Sequence, residues 1–416
     1  MAIAPSVLAG CLVSVYRGYF EGMRNMYPTA VSQVIEGFAK TILGLALCGG
    51  CIWFAKSYPE DFLRLTGCTG RGVTAEEAAV PAVMGVTLSS FAGLIYIMIK
   101  GRGKTAVRRR REIDRELLRT AVPMAAGALV INLTSLIDLV TIMRSLKTVI
   151  AKTPWVFSHL LGSGISYNDM PNFIYGSFTG LAVTLFNLIP SLTNMLGKSM
   201  LPAASAAKAA GDDKRLGECS AGVIFAAAVI SVPAGPGISV LAEEILTLLF
   251  SGRTVEIAVC ADAMRVLGLA VPFVCISSAA FSVLQAADRA DIPVKLMGIG
   301  AAVKLAGNLI LTSVPGLNVT GAATLICYIV ICVMSLWALA SHGGLRLRRT
   351  MGICAKIFAA GALCAAGAFI TAKQLPAGSH IMIKTAVSCL TGAIIYILST
   401  YFSGVITKST LKMLIS

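Results

Sequence analysis

Charged residues are scarce in this chain, and their scarcity is the first constraint on what the chain is. They make up 13% of its 416 residues, whereas soluble domains usually carry about a quarter. Hydrophobic residues reach 56%, and they gather into runs near the ~20 residues that cross a bilayer as a helix. The composition therefore excludes a soluble enzyme and predicts an all-α integral membrane protein.

Eleven apolar runs are predicted to span the membrane, although the first run is short. Backbone groups in lipid must bond within their own segment, so we expect each run to form a helix. The predicted spans are residues 3–16, 30–54, 78–99, 121–143, 173–196, 221–241, 266–284, 294–314, 318–340, 353–371 and 381–401.

Residues that carry catalytic or metal chemistry are also few. The three histidines, His159, His342 and His380, lie in predicted loops with no acidic partner at a catalytic spacing. The Cys48-x-x-Cys51 pattern falls inside a predicted span with two glycines between the thiols, which favours close helix packing over redox or metal chemistry. We therefore expect no enzymatic activity, no metal ion and no cofactor.

Acidic residues are fewer than basic residues, and the net charge is +15. If the spans alternate in direction, the basic residues of the loops divide 22 to 8 between the two sides, with nine between Lys100 and Arg119. The basic side is cytoplasmic under the positive-inside rule, which places the carboxyl end inside. Membrane topology thus accounts for the charge, nucleic acid is not required, and the run Arg108–Arg111 is expected to contact anionic lipid headgroups.

The distribution of the predicted spans suggests four segments. Residues 1–99 hold three spans, and residues 100–119 form a basic cytoplasmic linker. Residues 120–340 hold six spans, and residues 341–416 hold a basic loop and the last two.

A weak internal repeat connects the loop after the first span with the loop after the seventh. Each loop has a small residue, an arginine two positions later and a proline four positions after that: Gly22, Arg24 and Pro28 in one, Ala287, Arg289 and Pro293 in the other. Transporters are often built from duplicated bundles. We therefore expect residues 120–340 to form one six-helix lobe, and residues 1–99 to form the second half of another.

Polar residues inside two consecutive spans form stripes. Asn132, Ser135 and Asp138 step by three along one span, and Thr184, Asn187, Ser191 and Asn194 share about 80° of the next. Hydrogen bonding between helices would explain such stripes, and so would a hydrated cavity for a polar headgroup. Asp138 favours the cavity, because an ionisable group in mid-span is a functional candidate by default.

Other charges within the spans fall at helical spacings. Glu36 and Lys40 are predicted to pair at i,i+4, and Asp262 and Arg265 at i,i+3. Lys304 has no such partner in its own span, so we expect it to face a cavity or to reach another helix.

Several motifs carry a family resemblance. Residues 16–22 (YRGYFEG) and 27–36 (YPTAVSQVIE) resemble the loop after the fourth helix of the stage V sporulation protein B group. That group belongs to the polysaccharide-flippase branch, which also holds the lipid II flippases, of the multidrug/oligosaccharidyl-lipid/polysaccharide exporter superfamily. The matching loop residues are Arg17, Gly18, Gly22, Arg24, Pro28 and Glu36. Looser matches are residues 135–138 with Arg144, residues 175–180 and residues 201–205.

The resemblance implies a MATE-like, two-lobed bundle of fourteen helices, of which this chain is expected to lack the first three. It implies alternating access, in which an undecaprenyl-linked glycan or peptidoglycan precursor crosses the membrane for spore cortex or cell-wall synthesis. The two polar stripes and Arg144 would line the cavity. Relatives tend to have a basic residue near the start of the eighth helix, where this chain has Phe178-Thr179-Gly180.

Two alternatives stay open. A multidrug or cation antiporter of the same superfamily would bind amphipathic cations near carboxylates such as Asp138. A truncated, non-transporting membrane protein would have no polar cavity. Membrane lipids are expected partners in every case, and no oligomeric state follows from the sequence.

Overall fold

The structure of the chain is a computed structural model. It describes residues 4–23, 25–58, 75–101, 121–122, 125, 135–136, 138–152, 165–311, 318–376 and 380–405. These residues are almost entirely helical, so the predicted all-α class is confirmed. Their contacts group into two units, Met1–Arg109 and Arg110–Ser416, which we call unit 1 and unit 2.

The helices are numbered in chain order. Unit 1 holds α1 (Ala4–Gly22), α2 (Tyr27–Ser57) and α3 (Ala75–Gly101). Unit 2 begins with α4 (138–152) and α5 (Met170–Ala209). It continues with α6 (Asp213–Val240), α7 (Ala242–Leu249), α8 (Thr254–Ala286), α9 (Asp291–Leu311), α10 (Asn318–His342), α11 (Leu347–Gln374) and α12 (Ile381–Phe402).

Nine helices in the described residues are long and apolar enough to cross a membrane, namely α2, α3, α5, α6 and α8 to α12. Each of them contains all or most of one predicted span. The count of eleven stays a prediction, because α1 is not among the nine and the predicted span 121–143 lies mostly outside the described residues.

Helix α1 is longer than the predicted first span. It continues to Gly22, so Arg17 and Gly18 are helical, whereas the sequence placed them in a loop. The side chain of Phe20 is 2% exposed, and its burial favours continuation of the helix through the aromatic residues that precede the loop.

In unit 1, helix α3 packs against both α1 and α2. A Cβ atom added to Gly85 of α3 would lie 2.6 Å from the Gly44 Cα atom of α2. Only the absence of a side chain permits this approach, as is usual where membrane helices cross closely.

In unit 2, helix α8 is central and packs against α5, α6 and α10. Two apolar cores lie along it. The first joins α4, the start of α5, α7 and the first half of α8. The second joins the end of α5, the start of α6, the second half of α8, and α10 and α11. Because both cores use α8, its burial determines how the helices of the unit assemble.

The outward-facing surfaces of the helices are strongly apolar. Trp337 and Val333 of α10 are 67% and 63% exposed, and Leu390 of α12 is 63% exposed. Apolar surface of this extent marks an interaction site in a soluble protein, whereas a bilayer covers it here.

Helices α6 and α8 cross through glycine. A Cβ atom on Gly235 would lie 2.6 Å from the Pro272 Cδ atom and 2.7 Å from the Gly268 carbonyl oxygen. Nearby, the Ser239 hydroxyl donates to the Arg265 carbonyl oxygen at 2.5 Å. The crossing therefore has no room for one additional methyl group on Gly235.

We expect Gly235→Ala to lower the free energy of unfolding by about 1–3 kcal/mol, because the methyl group overpacks the crossing. The melting temperature of the detergent-purified protein would report this loss. Gly237→Ala is the matched control in the same helix, since a Cβ atom there meets no atom within 4 Å. Equal melting temperatures for the two variants would contradict the proposed tight crossing.

Candidate functional site

A charged network inside unit 2 joins two helices that are far apart in sequence. The Lys304 ammonium of α9 donates to one carboxylate oxygen of Asp138 in α4. The Asn308 amide, one turn after Lys304, donates to the other carboxylate oxygen at 3.1 Å. The side chains of Asp138 and Lys304 are 18% and 11% exposed. The expectation that Lys304 reaches another helix is therefore confirmed.

Glycines bring α9 close to α10 on both sides of Lys304. A Cβ atom on Gly300 would lie 2.4 Å from the Ile331 Cδ1 atom, and one on Gly307 would lie 3.2 Å from the Ala323 Cβ atom. The Cys327 thiol donates to the Gly300 carbonyl oxygen at 3.2 Å. This close packing fixes the position of Lys304.

Two phenols lie near the charge pair. Tyr175 of α5 and Tyr328 of α10 are both within electrostatic range of the Asp138 carboxylate. In a medium of low dielectric constant, an opposite charge and a neutral hydrogen-bond donor stabilise a carboxylate where water is scarce. The Lys304 ammonium and the Asn308 amide thus occupy the two carboxylate oxygens of Asp138.

The second predicted stripe has a different environment. All four of its residues are exposed on α5: Thr184, Asn187, Ser191 and Asn194. We call them the polar face of α5. The hydroxyls of Ser191 and Thr184 donate to backbone carbonyls of α5, at 2.7 Å and 3.3 Å. The side-chain amides of Asn187 and Asn194 have no hydrogen-bond partner among the described residues, so they are available to water or a ligand.

The two stripes are used differently. Asp138 bonds to α9, and no contact of the described residues joins it to the polar face of α5. Ser135 is exposed and has an interaction of its own, and Asn132 lies outside the described residues. Whether the stripes border one cavity stays a prediction.

Helix α5 is irregular where the polar face begins. Residues Phe178–Val183 form a π-helical segment, and the regular helix breaks at Asn187, three residues before Pro190. A π segment is frequent at functional sites, and proline removes a backbone donor. The π segment was not predicted from the sequence, in which the Thr179-Gly180 pair was the available signal.

Arg144 does not join the charged network. It is exposed on α4 and borders an open groove of about 640 Å³ together with Lys147, Thr148 and Lys152. Its carbonyl oxygen accepts a hydrogen bond from the Thr148 hydroxyl at 2.9 Å. Its predicted role in a cavity stays a prediction.

Unit 1 has a polar network built from the family motif. The Arg17 guanidinium of α1 donates to the Ser32 hydroxyl at 2.8 Å and to the Glu36 carboxylate at 2.9 Å, both in α2. Both side chains are partly buried: Arg17 is 18% exposed and Glu36 is 33% exposed. The predicted Glu36–Lys40 pair is therefore wrong, because Arg17 from the neighbouring helix takes the carboxylate and Lys40 is exposed.

The other described motif residues of unit 1 lie in α1 and at the start of α2. Gly18 and Gly22 lie in α1, and a Cβ atom added to either of them would have no atom within 4 Å. Pro28 is in the first turn of α2, where its missing N–H costs nothing. Arg24 lies outside the described residues.

Charges at one end of unit 2 are also paired. The predicted Asp262–Arg265 pair is confirmed at 2.5 Å, and Arg265 contacts Glu243 of α7 at 3.1 Å as well. Glu244 pairs with Lys384 of α12 at 3.2 Å. Among the described residues, no group of three His, Cys, Asp or Glu side chains could hold a metal ion.

Comparison with known proteins gives concordant results. The profile of the family described as lipid II flippase MurJ matches residues 32–388. Stage V sporulation protein B of Bacillus subtilis (strain 168) is 24% identical over 338 residues, which are 78% of this chain and 57% of that protein. Lipid II flippase MurJ of the same organism is 23% identical over 429 residues, covering 98% of this chain and 72% of that protein.

A solved structure shares the fold. It is a lipid II flippase MurJ in an inward closed conformation, with a TM-score of 0.62 and 12% sequence identity, over 97% of this chain and 73% of that one. This chain thus spans a little over half the length of the sporulation protein and about three quarters of each MurJ.

The fold and the charged network define a multi-pass α-helical membrane protein with an acidic and a basic side chain paired between its helices. More particularly, the chain belongs to the lipid II flippase MurJ family, because the family profile matches most of its length. The resemblance seen in the sequence motifs is confirmed.

Proposed function

We propose that this chain is a transporter, not an enzyme, and moves a lipid-linked peptidoglycan or glycan precursor across the cytoplasmic membrane. The observation that carries this proposal within the family is the polar face of α5. Its four polar side chains are exposed within a helix long enough to span the membrane.

Such a face is costly against lipid. Each amide of Asn187 and Asn194 that met hydrocarbon without a partner would cost several kcal/mol, on the order of 2–7. Water or a polar headgroup removes that cost. A headgroup rich in hydroxyl and amide groups offers both donors and acceptors, while its polyprenyl tail stays in the bilayer.

Movement of the headgroup requires access from each side in turn. We propose that residues 1–99 and 120–340 act as parts of two lobes that rock around it, with residues 100–119 as a cytoplasmic linker. The π segment and the break at Asn187 support this proposal, since irregular helix positions absorb changes in backbone angle more readily than regular ones. The substrate would serve cell-wall or spore-cortex synthesis.

The antiporter alternative has less support. It needs a carboxylate that can bind an amphipathic cation, yet the Asp138 carboxylate is occupied by Lys304 and Asn308. A non-transporting protein has less support as well, because it gives no reason for unpartnered amides on an exposed face of a span.

Complementation tests the proposal directly. The chain should restore growth to a strain depleted of its lipid II flippase, and in proteoliposomes it should expose a labelled lipid-linked precursor to an impermeant enzyme on the opposite side. Failure of both, with normal membrane insertion, would contradict the flippase function. Efflux of a cationic dye without precursor movement would instead establish the antiporter.

A further inference from the structure

A second candidate site lies in unit 2, and none of the residues of the polar face of α5 line it. A cavity of about 480 Å³ opens between the start of α6 and the start of α11. Five of its lining residues are charged and most of the others are apolar or small: Asp213, Lys214, Gly217, Glu218, Ala221, Phe225, Gly344, Arg346, Arg349, Thr350, Ile353 and Cys354. We call this cavity the α6–α11 groove.

The lining residues follow one face of each helix. On α6 they run from Asp213 to Phe225, and on α11 from Arg346 just before the helix to Cys354, at helical spacings. The charged residues are at the loop end, and the apolar ones are further into the membrane. From Asp213 to Phe225 the helix rises about 18 Å, comparable to one leaflet of a hydrocarbon core ~30 Å thick.

Glycines make the groove possible. A Cβ atom on Gly217 would lie 2.4 Å from the Gly344 carbonyl oxygen, so the loop before α11 rests directly on α6. Gly344 has a φ of +66°, a left-handed conformation that favours glycine. This contact closes the loop end of the groove and leaves the space beside it open.

The charges of the groove are not neutralised by one another. The described residues give Arg346, Arg349, Asp213 and Glu218 no ion pair, although carboxylates and guanidiniums line the same cavity. In the same unit, Arg265 pairs with both Asp262 and Glu243. The groove thus presents both signs of charge to whatever occupies it.

The topology predicted from the sequence places this charged end at the cytoplasmic surface. Both loops that form it belong to the basic side of the chain in the 22 to 8 distribution. The charged end is therefore at the level of the lipid headgroups, and the apolar end is at the level of acyl chains.

We propose that the α6–α11 groove binds a cytoplasmic-leaflet phospholipid whose headgroup carries a phosphate and a primary ammonium, as phosphatidylethanolamine does. Arg346 and Arg349 bind the phosphate through charge-assisted hydrogen bonds. Asp213 and Glu218 accept hydrogen bonds from the ammonium. An acyl chain lies along Phe225 and Ile353. This site is independent of the proposed transport function.

Native mass spectrometry of the delipidated full chain tests the site with added phosphatidylethanolamine, phosphatidylcholine or phosphatidylglycerol. We expect phosphatidylethanolamine to bind most tightly. Arg346→Gln/Arg349→Gln should weaken its binding at least tenfold. Arg348→Gln is the control, because Arg348 is exposed in the same turn but does not line the groove, and it should change binding less than twofold.

Two further variants separate the parts of the proposal. Asp213→Asn/Glu218→Gln should shift the preference from phosphatidylethanolamine to phosphatidylglycerol, because only the ammonium loses its acceptors. Ile353→Trp should block binding by filling the groove, whereas Met351→Trp, on an exposed residue outside the lining, should not. A wild-type preference for phosphatidylglycerol, or equal binding by the arginine variant and its control, would overturn the proposal.

Discussion

Lys304→Met is expected to lower the amount of folded protein in the membrane severalfold. The substitution keeps most of the length of the side chain but leaves the Asp138 carboxylate, 18% exposed, with Asn308 as its remaining partner. Removing one member of a buried ion pair costs about 3–5 kcal/mol, because an uncompensated charge stays in a medium of low dielectric constant. A loss of this size is a large part of the ~5–15 kcal/mol that stabilises a typical domain.

The double variant Asp138→Asn/Lys304→Met should recover most of the lost protein, since it leaves no charge behind and the new amide can still bond to Asn308. Lys40→Met is the matched control, because Lys40 is an exposed lysine within a span and has no ion pair among the described residues. Membrane fractions of fusions to a fluorescent protein would report the amounts. Equal levels for the single and double variants would show that the pair contributes little to folding.

The same double variant addresses the role of Asp138 in transport. If it accumulates normally but moves no precursor, the charge pair takes part in the transport cycle. If it transports normally, the pair serves assembly alone, which is the interhelical interpretation of the first polar stripe.

The helices could be predicted from the sequence because lipid leaves few alternatives. A run of about 20 apolar residues in a bilayer must be a helix, and nine of the predicted runs are long helices in the structure. The end of α1 could not be predicted in this way. Arg17 interrupts the apolar pattern, yet it stays helical because its charge is matched by Glu36 of α2.

Ion pairs between distant segments could not be predicted from the sequence. The i,i+4 rule considers one helix at a time, so it assigned Glu36 to Lys40 and left Lys304 without a partner. In the structure, Glu36 of α2 pairs with Arg17 of α1, and Lys304 of α9 pairs with Asp138 of α4. Asp262 and Arg265 were predicted correctly because their interaction is local.

The α6–α11 groove could not be predicted from the sequence for the same reason, because it too joins distant segments. Its arginines and its carboxylates are more than a hundred residues apart in the chain, and the basic loop that holds the arginines indicated by itself only the cytoplasmic side of the membrane. The cavity depends on the close contact of Gly217 with Gly344, a detail of tertiary packing that neither segment shows by itself.

Asn187→Leu/Asn194→Leu should reduce precursor translocation at least tenfold without lowering the amount of protein in the membrane. Both amides are exposed and have no partner in the described residues, so leucine removes no internal hydrogen bond. If each amide gives the moving headgroup a net hydrogen bond of about 1 kcal/mol, losing two raises the barrier by about 2 kcal/mol and slows the rate about 30-fold. Translocation in proteoliposomes, at matched protein content, is the measurement.

Leu192→Ala is the control for that variant. Leu192 is 52% exposed and lies in the same helical segment, about 160° around the axis from Asn194. It therefore points away from the polar face, and its truncation should leave translocation unchanged. If the double leucine variant transports normally but accumulates poorly, the polar face holds helices together instead of contacting substrate, and the proposed cavity on this side of α5 is wrong.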